Sequence, residues 1–371
     1  MAGMKAALFS SVPYQGPVER RGWPVDVNSY TSEAAEASMQ RALDQFELAD
    51  QLGFDWVTVA EHHYAPMCLS PNPMVMAGAL TQRVKRAKIA LLGSNIPIQN
   101  PVRVAEEFSM LDTLTHGRIV AGMLRGTSNE YVTYNINPGE SRERFEEALE
   151  LIVKCWTEPQ PFGWQGRYYE YRAISIWPRP VQQPHPPIYM SASSPEMAEW
   201  AAKHRISIGF AVTRVPLAKQ SADLYKQIAR ENGWEPRPED VLYRIGCHVA
   251  ETDEEAFEAL TPRPGAAPQR AGGFSSSNRA LDDAVADAGY YGRDVENQRG
   301  RVQSAADLQQ RIANGQILAG SPDSVLRQIE HIRDELGAGI IETIFAGGSP
   351  ERTKQSIELF GTQVLPRLRD L

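Results

Sequence analysis

Cysteine is almost missing from this chain: Cys68, Cys155 and Cys247 are the only three in 371 residues, odd in number and far apart. Neither a disulfide framework nor a zinc ligand set is encoded by such a scatter, and the three read as reduced, mostly buried small apolar residues. Long apolar runs are missing too, since none reaches the roughly 18–20 residues that a membrane-spanning helix requires. The opening residues lack the charged and apolar regions of a signal peptide, which makes a cytoplasmic location the expectation. There is also no basic stripe. Lys and Arg number 38 against 46 Asp and Glu, a net charge of −8, with the acids dispersed along stretches such as 140–150. Nucleic acid is therefore not an expected partner, because its recognition needs clustered cations to displace phosphate counterions.

What is present is the composition of a globular domain, with 42% hydrophobic and 23% charged residues. Barrels of alternating strands and helices run past 250 residues as one unit, so one domain over 1–371 is the expectation. Eight strand-like runs, at 6–11, 56–60, 88–93, 118–123, 187–191, 206–212, 244–249 and 340–345, are each followed by helical periodicity. Most are continuously apolar, as strands are when helices cover the outside and side chains fill the inside. Apolar residues three and four apart, in Val104, Phe108, Leu111 and Leu114 and again in Phe145, Leu149, Ile152 and Trp156, mark helix faces that would seal the sheet. The pattern predicts an α/β fold, a single (β/α)8 TIM-type barrel. Its rhythm breaks at 262–300, rich in Pro and Gly, which reads as a loop insertion before the last strand-helix unit. Placed after strand seven it would overhang the barrel mouth, either as a mobile lid or as a passive solvated insert.

Barrel enzymes carry their chemistry at the C-terminal ends of strands, which directs attention to four segments. Glu61-His62-His63-Tyr64 follows the second strand and offers a proton-transfer group near neutral pH, against the plain alternative of a packed histidine. The two histidines cannot share one metal ion easily, because adjacent residues on extended backbone point apart, and no metal is expected. Arg125, between Leu124 and Gly126, presents a planar fork for a phosphate, or else is a surface arginine in a turn. Ser193-Ser194-Pro195 has the form of an N-cap with proline at the first helical position, where free N–H groups gather. The same form at Ser321-Pro322 shows that it is also an ordinary cap. Leu92-Gly93-Ser94-Asn95 ends strand three with a glycine that permits close backbone approach.

Together these segments resemble the bacterial luciferase-like flavin-dependent monooxygenase family. The likeness extends through Asn100-Pro101-Val102-Arg103, Ala105-Glu106-Glu107, Met110-Leu111-Asp112, Gly117-Arg118, Ser141-Arg142, Phe145-Glu146-Glu147, Pro187-Ile188-Tyr189 and Glu199-Trp200-Ala201-Ala202. The resemblance implies reduced FMN, supplied by a separate flavin reductase, and O2 acting on a small organic substrate through a flavin hydroperoxide in a two-component monooxygenase. It makes His62 the active-site histidine, Arg125, Ser193 and Ser194 the phosphate anchors, and Gly93, Ser94 and Asn95 the backing of the isoalloxazine ring, where a non-prolyl cis peptide is expected. His63, Tyr64 and Tyr131, with Asn95, are expected to line the substrate pocket. Leu124 stands where luciferase itself has a cysteine, so neither light emission nor an aldehyde substrate is implied. Relatives are usually homodimers. A deazaflavin-dependent dehydrogenase or reductase on the same barrel, and a non-catalytic flavin-binding protein, are the alternative readings.

Overall fold

The computed structural model describes residues 3–18, 24–211, 213–261, 307–345 and 349–371. Its centre is a closed ring of eight parallel strands. β1 (Lys5–Ser10), β2 (Trp56–Val59), β3 (Lys88–Asn95) and β4 (Ile119–Leu124) pair in succession. β5 (Phe162–Gln165) and β6 (Glu170–Ile174) leave the ring as an antiparallel hairpin, and β7 (Ile188–Ser191) then pairs with β4. β8 (Ser207–Ala211), β9 (Val241–Val249) and β11 (Ile340–Phe345) complete the circuit back to β1.

Strand alternation divides the apolar residues between two faces. Ala7, Trp56, Ala90, Leu92, Val120, Tyr189, Leu242 and Ile340 form one buried cluster, the filling of the barrel. Their chain neighbours, such as Leu8, Val57, Ile89, Leu91, Ile119 and Ile341, face outward into the larger core under the helices. That double burial is why the strands read as continuous apolar runs rather than alternating ones. Phe145, Leu149, Ile152 and Trp156 of α5 (Ser141–Thr157) are all buried as their spacing predicts, whereas Leu114, the last residue of α3 (Pro101–Leu114), is 51% exposed and seals nothing.

The eight expected strands are observed with ends shifted by up to three residues, and a further parallel strand was not foreseen. β10 (Ile317–Gly320) pairs with 246–249, the stretch of β9 that outruns β8, while β8 pairs with 241–244. Four apolar residues after a short helix carry no period that separates strand from helix. The predicted insertion at 262–300 lies outside the described residues.

Candidate active site

The C-terminal strand ends converge on one mouth. Glu61, His62 and His63 leave β2, and the two imidazoles turn to different carboxylates, as neighbours on extended backbone must. His62 Nδ1 lies 3.1 Å from Glu130 Oε1, and His63 Nε2 lies 3.1 Å from Glu61 Oε1. Glu130 belongs to α4 (Ser128–Thr133) and is fully buried. Its Oε2 accepts the Thr127 backbone N–H at 2.6 Å, one half of the capping box that heads the helix, and also the Thr127 hydroxyl. Burial pushes the Glu130 carboxyl up, but the His62 pair and the Thr127 bonds outweigh it and hold the group below its ordinary 4.5. An ionised carboxylate only accepts hydrogen bonds, so Nδ1 of His62 is the donor and Nε2 is the basic nitrogen. The His62 side chain is 26% exposed, so this dyad opens to the mouth.

The second pair is a support. Glu61 Oε2 accepts the Asn95 N–H at 2.9 Å and the Gln99 side-chain amide at 3.0 Å, which ties β2 to the end of β3. Its burial raises the carboxyl above 4.5 despite the bonds from His63 and Asn95, and the Glu130 charge adds to the rise. His63 is buried and meets the Tyr134 ring edge-on at 5.0 Å. Tyr64 is 56% exposed with φ +57, whereas Tyr131 is fully buried with its hydroxyl donating to the Arg125 carbonyl. Tyr131 therefore braces the Arg125 turn from behind. Cys68, below the motif, is no nucleophile at neutral pH, since burial pushes its thiol up to about 11.

Arg125 and the Ser193-Ser194 turn are brought together by register. Gly122 of β4 pairs with Tyr189 of β7, so the two adjacent strands end side by side, one running into Arg125 and the other into Ser193. Ser191 and Ser193 exchange a hydroxyl hydrogen bond at 2.9 Å, and Ser194 caps α6 (Pro195–Lys203) by accepting from Met197 N at 3.4 Å. The cap alone decides nothing, because Asn72, Asn100, Ser321 and Ser349 head other helices with the same proline after them. A second guanidinium distinguishes this one: Arg142 Nη1 approaches Met197 Sδ at 3.6 Å, beside the first turn of α6. Arg142 beside the first turn of α6, with Arg125 at the end of the neighbouring strand, the serine hydroxyls and the helix N-terminus, makes up a donor set whose chemistry fits a phosphate dianion.

At the end of β3 the Leu92–Gly93 peptide is cis, as the resemblance implied. A side chain on Gly93 would meet Leu124 Cγ at 2.4 Å, so the missing Cβ makes room for Leu124. Ser94 Oγ is buried at this mouth with no hydrogen-bond partner in the protein. Glu130 and Arg142 were not predicted as site residues. The signal for Glu130 was present as Thr127-x-x-Glu130, a capping-box spacing; Arg142 was marked only as part of the family-like Ser141-Arg142. Among the described residues no three His, Cys, Asp or Glu side chains gather as metal ligands, and no helix is long and apolar enough to cross a membrane.

Comparison with known proteins bears on the fold and the family. The chain is 29% identical over 201 residues to the uncharacterized protein y4wF of Sinorhizobium fredii, 53% of this chain and 58% of that one. It is 29% identical over 237 residues to the alkanal monooxygenase beta chain of Photorhabdus luminescens, 62% of this chain and 71% of that one. The match thus spans little more than half the length of the first of these relatives. Among solved structures it superposes on the oxygenating constituent of 3,6-diketocamphane monooxygenase from Pseudomonas putida, in complex with FMN, with a TM-score of 0.74 at 22% identity over 99% of both chains. It also superposes on a coenzyme F420-dependent tetrahydromethanopterin reductase from Methanopyrus kandleri, with a TM-score of 0.66 at 16% identity over 99% of this chain and 100% of that one. The model of one family, luciferase-like monooxygenase, matches residues 23–339, and the chain belongs to that family.

Proposed function

We propose that this protein is the oxygenase component of a two-component flavin monooxygenase, taking reduced FMN from a separate flavin reductase and using O2 to oxygenate a small organic substrate. The observation that carries the reading is the His62–Glu130 dyad, half-open at the barrel mouth beside the Arg125 and Ser193-Ser194 anchors. Arg125, with Ser193 and Ser194, would hold the FMN phosphate, and Gly93, Ser94 and Asn95 would stand behind the ring. Bound there, reduced FMN supplies the electrons that activate O2, chemistry that belongs to the cofactor. His62 Nε2 accepts or returns a proton at the reacting atoms, while Glu130 holds its tautomer and balances the charge that results. The exposed Tyr64 shapes the substrate side, with His63 and Glu61 supporting it from beneath. The three free, buried cysteines support a reducing, cytoplasmic setting, and the outward Met110 and Leu114 of α3 with Val75 of α2 (Pro73–Arg83), each at least 51% exposed, support a homodimer.

Anaerobic titration with reduced FMN and with reduced deazaflavin, followed by admission of air, tests the proposal. Binding of reduced FMN and oxygen uptake coupled to product support it. Binding of the deazaflavin alone, with hydride transfer and no oxygen uptake, would establish the dehydrogenase reading instead, and flavin binding without turnover would make the protein a flavin carrier.

A further inference from the structure

Below the mouth, one cation crosses the interior of the barrel. Arg244 leaves β9 and donates from Nε to the Glu342 carboxylate of β11, and from Nη2 to the Leu92 carbonyl of β3 at 2.7 Å. Its guanidinium carbon lies 3.8 Å from the centre of the Phe9 ring of β1. In the eight-strand ring β9 and β3 stand opposite each other, so the side chain spans the lumen. The level is the mouth end: Arg244 pairs with Ala211, the last residue of β8, and Leu92 directly precedes Gly93.

The pair is oriented. Arg244 and Glu342 are register partners on the paired strands, and the Arg244 side chain is 13% exposed against 0% for Glu342, so of the two only the cation reaches the open side of the lumen. Glu342 Oε1 is buried without a hydrogen-bond partner, an arrangement that packing alone does not favour. The filling around it is alanine, tryptophan, leucine, valine, tyrosine and isoleucine. Replacing a buried ion pair by apolar residues is often neutral or stabilising, so stability does not account for a charge here.

We propose that Arg244 sets the charge preference of the site, favouring a ring ligand in its anionic, reduced form over the neutral, oxidised form. The inference rests on the FMN reading above. Uptake of two electrons and one proton converts the neutral oxidised ring to an anion, and a guanidinium in the low-dielectric floor attracts only the second of these. Reduced FMN is then retained on arrival and oxidised FMN released afterwards, as an enzyme fed by a diffusing reduced flavin requires.

The test is an anaerobic dithionite titration of the full-length protein with FMN against a reference dye, giving affinity for both redox states. It compares the wild type, Glu342→Gln, Arg244→Lys and the double variant Arg244→Met with Glu342→Gln, which leaves no unpaired buried charge. The double variant is expected to lower the preference for reduced FMN about tenfold, roughly 30 mV for a two-electron couple. Glu342→Gln, which unmasks the cation, should raise it, and Arg244→Lys should retain most of it. A preference unchanged in both the double variant and Glu342→Gln, or shifted the same way in both, overturns the assignment, since a merely structural pair would not move it in opposite directions. If the wild type binds FMN in neither state, the flavin reading itself falls and this inference with it.

Discussion

His62 Nδ1 and Glu130 Oε1 meet at 3.1 Å across 68 residues of chain, one at the end of β2 and the other in the short helix after β4. The same Glu130 caps that helix through Thr127, so helix formation and imidazole orientation depend on one carboxylate. Glu130→Gln separates the two roles, because glutamine also serves in a capping box while carrying no charge. The variant should keep its melting temperature within a few degrees and lose product formation by about 10–100-fold, with oxygen uptake diverted to hydrogen peroxide. Product and peroxide yields beside thermal unfolding check it; a fully coupled variant would show that the carboxylate does not act through His62.

Arg125→Ala should weaken FMN far more than riboflavin, because the guanidinium is assigned to the phosphate alone. Charge-assisted hydrogen bonds contribute about 1.5–3 kcal/mol, which corresponds to roughly a tenfold to hundredfold loss for FMN. Equal losses for the two ligands, measured by fluorescence quenching, would remove Arg125 from the phosphate site.

The glycines where β3 meets β4 differ in what an added methyl would strike. At Gly122 it would meet the Leu91 carbonyl oxygen at 2.2 Å and Leu92 Cα at 2.8 Å, both backbone, whereas at Gly93 the nearest atoms belong to the Leu124 side chain at 2.4 and 2.8 Å. Side chains yield and paired strands do not. Gly122→Ala should cost about 3 kcal/mol or more, and Gly93→Ala nearer 1 kcal/mol. Urea unfolding that ranked them the other way would show that β3 shifts more easily than Leu124.

Asp50 ties the end of α1 (Ser32–Leu52) to the segment leading into β3, accepting from the N–H groups of Lys85, Arg86 and Ala87 at 3.0, 2.9 and 2.7 Å. Burial raises its carboxyl, but these bonds and the Arg86 charge outweigh burial and bring it below 3.8. A carboxyl depressed in the folded state stabilises fully above its unfolded value and loses that contribution as pH falls through the folded one. Asp50→Asn should therefore cost about 1–3 kcal/mol at pH 7, and the gap to wild type should close only below about pH 3.8. A gap equally wide at acid pH would mean that the loss is one of shape rather than charge.

Fold class was legible from local pattern, because a strand buried on both faces must be apolar along nearly its whole length, as Ile119–Leu124 is. The cap at Ser194 was equally local, since a side chain and an N–H three residues on suffice to make it. The position of His62 after a strand marked it as a candidate, but not its chemistry. Which nitrogen is basic depends on Glu130, 68 residues away, and no period or spacing near His62 announces that partner. The same holds for Arg244, which reads locally as a polar interruption in a mostly apolar strand and becomes the floor of a mouth only when ring closure sets β3 opposite β9 and brings the Leu92 carbonyl within 2.7 Å. Local pattern is decided by contacts within a turn or a strand, and these residues determine by themselves. Pairings across the barrel depend on closure of the ring, a property of the whole sheet, and only the tertiary structure decides them.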